Sequence, residues 1–397
     1  MAPVNPMPSA LNVGNYISAV DDTNQIKKME SSAEQLLYGF VGEIGGILTN
    51  LKKSKRDSIT EKDANLIGEE LGDSFWYFFA FLKASGASPK NVVKACVPKN
   101  LPDDFDVNDI SFRVIYSTVE TDAFPNEPNL SDTLKSVLVS IGELSAAVSQ
   151  NDIKSVENTL SEIFKSLVLI CYLKGIYLDD VLRENIKKVS SRWPSGDVAF
   201  TALFDDEYPE HEQFDRNLTF QFREYELKGS KYCYMSLNGV NIGGRLTDNS
   251  HDEDGYRFHD VFHMAYLVYL GWSPVLRALL KLKRKSKPEI DENEDGARAI
   301  IIEEGIATWI FNHAKEASYF KDMEVGKLSY SLLKQIQSLV SGYEVEKCPP
   351  WQWEQAIING FKVFNELKVH GKGFVNLDLV NRKLTFSELN PNRKAEK

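Results

Sequence analysis

The chain has few cysteines, no basic excess and no long apolar run. Its four cysteines, Cys96, Cys171, Cys233 and Cys348, are scattered and form no CxxC pair. That excludes a disulfide framework and a zinc knuckle, and it fits a reducing, cytoplasmic setting. Lys and Arg number 46 against 57 Asp and Glu, for a net charge of -11. A protein that coats duplex DNA shows the opposite bias, so nucleic acid is not the expected partner. The longest apolar runs, FWYFFAFL at 75–82 and LVLICYL at 167–173, are too short to cross a bilayer. The start, MAPVNPMPSALN, lacks the basic and apolar regions of a signal peptide, so no membrane partner is expected either. What is present is ordinary globular material. The 397 residues are 43% apolar and 26% charged, enough for two or three cores of about 150 residues each.

Residues 1–12, rich in proline, read as a loose tail. Between residues 31 and 53, Leu36, Phe40, Ile44, Ile47, Leu48 and Leu51 recur at three- and four-residue steps, the period of a helix that buries one side. Between 63 and 84, Leu66, Leu71, Phe75, Phe78, Phe79 and Leu82 predict a second helix that stops at Ser85-Gly86. PKNVVKAC opens a third at a proline suited to a first helical position. SIGELSAAV (140–148) then echoes GFVGEIGGI (39–47), and LSEIFKSLVLICYLKGIYLDDVL (160–182) echoes LGDSFWYFFAFLKASGASPKNVV (71–93). One helical unit is written twice, over 13–105 and 130–195, and its four long helices can close a bundle within one chain as a pseudo-dimer.

After Trp193-Pro194 the pattern changes. LTFQFREYEL alternates, and Asn238-Gly239 between apolar runs signals a hairpin. Helices are expected at about 257–284, 296–316, 325–342 and 351–367, followed by two short strands, GFVNLDLV and KLTFSEL. The predicted class is mainly α: a tandem helical bundle, then an α+β domain over 205–390.

The candidate chemistry starts with carboxylates. Glu43 lies on the apolar side of its helix, and Glu70 and Asp73, three apart on the next, are neighbours. Each acid alone is read most simply as snorkelling or salt-bridged. Three converging from adjacent helices repel one another and call for a cation, and oxygen-only ligands suit magnesium, with manganese as the alternative. GFVGEIGGILTNLKKSKRD followed by EELGDSFWYFFAFLKASGASPKNVV resembles the MazG-like, all-α nucleoside triphosphate pyrophosphohydrolases, whose signature is a Glu-x-x-Glu helix followed by a Glu-x-x-Asp helix. Glu70-Leu-Gly-Asp73 matches the second half, with Trp76 after it. In the first half Glu43 matches, but Gly46 stands where the second acid belongs. In the second copy Glu143 and Glu162 match, whereas Ala146 and Thr159 replace the other two. The resemblance, over about 31–194, implies one catalytic copy and one worn copy, like a dimer of the family fused into one chain.

It further implies that Glu43, Glu70 and Asp73 hold Mg2+ and that a nucleoside triphosphate is cleaved to monophosphate and pyrophosphate by an activated water. Trp76 and the basic run Lys52, Lys53, Lys55 and Arg56 are the expected substrate contacts; as ordinary structure, those cations complement the helix dipole. Glu69, Glu143 or water are the open replacements for the missing acid, and an inactive site is the remaining option. Self-association is also expected.

The second half carries another cluster. His259 and His263, four apart, share a helical face with Asp260 between them, and Glu303 and Glu304 interrupt the apolar AIIIEEGIA. This spacing suits a metal site and equally a hydrogen-bonded polar layer. Lys281, Lys283, Arg284, Lys285 and Lys287 read as a solvated face or as phosphate contacts. GGRLTDNSHDEDGYRFHDVFH, with GWSPVLRALLKLKRKSKP, is similar to the C-terminal domain that accompanies some MazG-like proteins. Two functions therefore stay open. One is Mg-dependent pyrophosphohydrolysis. The other is a non-turnover nucleotide sensor whose second domain carries its own metal or phosphate chemistry; either suits nucleotide housekeeping or antiviral defence.

Overall fold

A computed structural model describes residues 10–56, 61–102, 104–121, 128–196 and 198–389, without the side chains of 54–56 and 61–66. It divides into two compact units, Met1–Ser195 and Gly196–Lys397. The fold is mainly α in the first and α+β in the second. No helix among the described residues is long and apolar enough to cross a membrane, and all four cysteines are buried free thiols.

The first unit is helical throughout: α1 (Val13–Thr23), α2 (Ser32–Arg56), α3 (Glu61–Ser85), α4 (Pro89–Val93), α5 (Phe112–Thr121), α6 (Leu130–Ser149), α7 (Ile153–Leu173) and α8 (Leu178–Arg192). The expected long helices are α2 and α3. Two helices went unforeseen, α1 and α5. The tail reading also ends too late, because Leu11 is buried with its N–H on Asp179 Oδ1 at 2.9 Å, and Asn12 caps α1. Residues 1–9 lie outside the description.

Helices α2 and α3 pair as one hairpin and α6 and α7 as another. The helix that follows each hairpin packs on the other hairpin, α4 onto α7 and α8 onto α3. Phe75, Phe78, Phe79 and Phe164 form the shared core; Phe78 and Phe164 stack at 5.6 Å. Burying such rings from both copies is what holds the exchanged arrangement.

In the second unit, β1 (Asn217–Leu227), β2 (Ser230–Leu237), β3 (Val240–Leu246), β4 (Lys372–Asp378) and β5 (Lys383–Ser387) form an antiparallel sheet of order β3-β2-β1-β4-β5. The Asn238-Gly239 hairpin forms, both residues at positive φ, with Leu237 facing Val240. The helices are α9 (Asp260–Leu270), α10 (Pro274–Leu280), α11 (Pro288–Asn293), α12 (Ala297–Glu316), α13 (Tyr330–Leu339) and α14 (Pro350–His370).

The single helix expected over 257–284 is in fact two. Gly271, at φ 71°, ends α9, and Ser273 caps α10 with Pro274 behind it. Every residue of α9 is buried, which suits a helix that is apolar nearly all round. Its few polar groups must find partners inside the protein.

Candidate functional site

Helices α2 and α3 bring the three predicted acids together. In their antiparallel register Gly39 faces Tyr77, and Gly46 faces Glu70. A Cβ at Gly39 would lie 2.1 Å from the Tyr77 ring, and one at Gly46 would lie 2.2 Å from Glu70 Oε2. The absence of a side chain at Gly46 therefore leaves the space the Glu70 carboxylate occupies. Asn50 Nδ2, one turn on, donates to Glu70 Oε1 at 3.3 Å. Glu43 shares a hydrogen bond with Glu70. Burial, the nearby Asp73 charge and that bond raise its pKa to about 8, so it holds a proton at neutral pH. Asp73 is raised as well, chiefly by burial, with Lys188 opposing and Glu69 and Glu70 adding to the rise.

Sequence reasoning missed two groups, both on α8 and so from the other copy. Lys188 Nζ pairs with Asp73 Oδ2 and, at 3.0 Å, with Glu69 Oε1. Asn185 Nδ2 donates to Asp73 Oδ1 at 2.9 Å, while its Oδ1 accepts from the buried Tyr16 hydroxyl at 3.1 Å. A cavity of about 390 Å³ lined by Glu69, Gly72, Asn185 and Lys188 adjoins them. The mutual repulsion of the acids is thus met partly by a lysine and a proton. The one readable signal was that Asn185 sits on the apolar side of α8, buried among Leu182 and Val189.

Several substrate and ligand expectations change. Trp76 is a core residue, 7% exposed, and its Nε1–H donates to Thr23 Oγ1 at 3.0 Å. Tyr77 is the half-buried ring beside the acids; burial first, then Glu43 and Asp73, raise its hydroxyl pKa. Lys52 and Lys53 are exposed, while the side chains of Lys55 and Arg56 lie outside the described residues. Glu69 is engaged with Lys188, and Glu143 is exposed on α6, as Glu162 is on α7.

In the second unit, His259, Asp260 and His263 come together with ligand atoms all within 4.8 Å of one another, the one such group of three among the described residues. Glu303 is fully buried and accepts from His263 Nδ1 (2.8 Å), Ser273 Oγ (2.7 Å) and the Val275 N–H (2.8 Å). Its carboxylate is thus held at the start of α10, a consequence of the break at Gly271. Burial opposes charge on His263, yet Glu303 and then Glu304 raise its pKa to about 10. Of the basic run, Arg284 is structural: 1% exposed, it binds Asp295 at 2.6 Å and Glu344 at 2.6 Å.

Residues 199–390 match the family model described as the MazG C-terminal domain. The second unit carries a MazG-associated C-terminal domain. No curated protein and no solved structure matches the chain.

Proposed function

We propose that the first unit binds a nucleoside triphosphate as its Mg2+ complex and hydrolyses it to the monophosphate and pyrophosphate, with Glu43, Glu70 and Asp73 as ligands and Mn2+ as the alternative ion. The observation that carries this reading is the half-buried cluster in which Glu43, Glu70 and Asp73 lie together, where burial and the neighbouring acids raise the Glu43 carboxyl. Four carboxylates, Glu43, Glu69, Glu70 and Asp73, surround one ammonium, Lys188. An oxygen-only set with surplus negative charge fits a hard divalent ion. Its looseness fits Mg2+ in particular, which takes one or two carboxylates and completes its shell with water and substrate phosphate. When bound, that ion neutralises phosphate oxygens and lowers the pKa of a water.

The protein's own groups do the rest. Asn185 fixes one oxygen of Asp73, leaving the other to Lys188. Lys188 is within reach to transfer its charge to an arriving phosphate. Glu43 gives up its proton as positive charge arrives. Gly46 keeps the Glu70 carboxylate in place, and Lys52 and Lys53 are the exposed cations left to meet the polyphosphate tail.

A second reading, nucleotide binding without turnover, is favoured by the contact of Lys188 with Asp73, which occupies a ligand oxygen. Incubating the full chain with ribo- and deoxyribonucleoside triphosphates and Mg2+ separates the two. Pyrophosphate release lost in Glu70→Ala supports hydrolysis, tight binding without release supports the second reading, and release that persists in Glu70→Ala removes the site assignment.

A further inference from the structure

We propose that the second unit holds one divalent transition-metal ion between His259, His263, Asp260 and Glu304, with Glu303 as a positioning residue. The proposal stands independently of any activity in the first unit. It starts from which ring nitrogens are already engaged. His259 Nδ1 lies 2.9 Å from the Tyr256 carbonyl, and His263 Nδ1 lies 2.8 Å from Glu303 Oε1. A carbonyl and a carboxylate only accept, so both Nδ1 atoms carry hydrogen and Nε2 is the atom each ring can offer a metal, His263 releasing the Nε2 proton it shares with Glu304 when the ion arrives. Donation of the remote N–H to a carbonyl or carboxylate is how metal-binding histidines are oriented.

These nitrogens then converge. His263 is fully buried, and its Nε2 has no hydrogen-bond partner. Glu304 Oε2 stands 3.4 Å away and is the ion-pair partner that nitrogen has without a metal. His259 Nε2 is 3.5 Å from Asp260 Oδ1, and the Tyr256 ring stacks on His259 at 4.4 Å, pinning it. His259, Asp260 and His263 bring ligand atoms within 4.8 Å of one another, with Glu304 beside His263, and such a buried cluster of imidazoles and carboxylates is stabilised by a proton or a cation.

The two adjacent acids of α12 divide the work. Glu303 has its oxygens taken by His263, Ser273 and the Val275 N–H and sets the ring of His263. Glu304, 40% exposed, closes the site on the solvent side, where an ion enters. Two imidazoles with carboxylates suit Zn2+ and its neighbours in the first transition row over Mg2+.

The test uses the untagged, chelator-stripped full chain titrated with Zn2+ against a chromophoric competitor, and Co2+ absorption as a second signature. The expected result is one equivalent of Zn2+ that millimolar Mg2+ does not displace, and Co2+ ligand-field bands. Affinity should fall by about tenfold or more in His259→Ala and Glu304→Gln, and by about 10–100-fold in Glu303→Gln, which touches no metal. Glu70→Gln in the first unit should bind as wild type does. Circular dichroism confirms that each variant is folded. Absence of Zn2+ binding by folded wild type, equal affinity in His259→Ala, or loss on Glu70→Gln would each overturn the proposal; the first leaves His263 as a buried imidazolium between two acids.

Discussion

The two helical hairpins of the first unit, α2–α3 and α6–α7, treat their acids differently. In α2 and α3 the acids lie half-buried against one another. In α6 and α7 the surviving acids, Glu143 and Glu162, are exposed. Acids on matching helices are therefore not what makes a site. The difference comes from what faces them. The first copy has glycines at 39 and 46 that admit Tyr77 and the Glu70 carboxylate, together with Asn185 and Lys188 from α8. The helix crossing to the second hairpin, α4, instead binds Glu157 through Ser88 N–H and Asn91. Because α8 crosses to the first hairpin, it holds Lys188 and Asn185 against the acids of α3.

The sharpest way to break this comparison is to neutralise the acids of each copy in turn. Asp73→Ala should lower pyrophosphate release by about 100-fold or more, the scale of losing an electrostatic contact at the reacting centre. Glu143→Ala and Glu162→Ala should leave it within about twofold, as surface changes do. A steady-state pyrophosphate assay decides, and equal losses in both copies would end the distinction.

Lys188→Met should come next. With Asp73 and Glu69 left without their countercharge, nucleotide affinity should fall about tenfold, roughly 1.4 kcal/mol, as read by calorimetry with a non-hydrolysable triphosphate. Unchanged affinity would make Lys188 a purely structural partner.

A mirrored pair sharpens the role of the glycine. Gly46→Ala should displace the flexible end of Glu70 and cost activity while stabilising α2 by up to about 1 kcal/mol. At the matching exposed position Ala146→Gly should cost about 1 kcal/mol and leave activity unchanged. Thermal melts alongside the assay read both halves.

The smallest expected effect is on pH dependence. Glu43 has its folded pKa raised to about 8 from 4.5, so the folded state binds more protons between those values. Its contribution to stability is greatest below the lower value and is lost as pH rises through the upper. In chelator, wild type should therefore lose melting temperature between pH 5 and 8 relative to Glu43→Gln. Parallel curves would remove the raised pKa from the account.

Much of this was readable in the letters. Helical periodicity places Glu43, Glu70 and Asp73 on facing surfaces, and the Asn238-Gly239 turn announces its hairpin. What was not readable depends on distant partners. Lys188 and Asn185 lie more than a hundred residues from Asp73 in sequence, and only the packing of α8 on the first hairpin brings them to it. Trp76 and Tyr77 are adjacent, so one turns inward and the other toward the acids. Spacing does not tell which of the two faces the acids, because the notch at Gly39 that receives Tyr77 exists only once the helices pack. The break of α9 from α10 did have a local signal, Gly271 followed by Ser273-Pro274, which the continuous apolar pattern concealed. Which of Glu303 and Glu304 turns inward was not decided by spacing, since both interrupt the same apolar stretch.

In the proposed reaction Glu43, Glu70 and Asp73, completed by α8, direct cleavage between the α- and β-phosphates of a nucleoside triphosphate. Phosphorus NMR of the full chain with Mg2+ and each triphosphate tests it most directly. Wild type should give equal amounts of monophosphate and pyrophosphate, and Asp73→Ala neither. Diphosphate and orthophosphate, or the same products from Asp73→Ala, would contradict it.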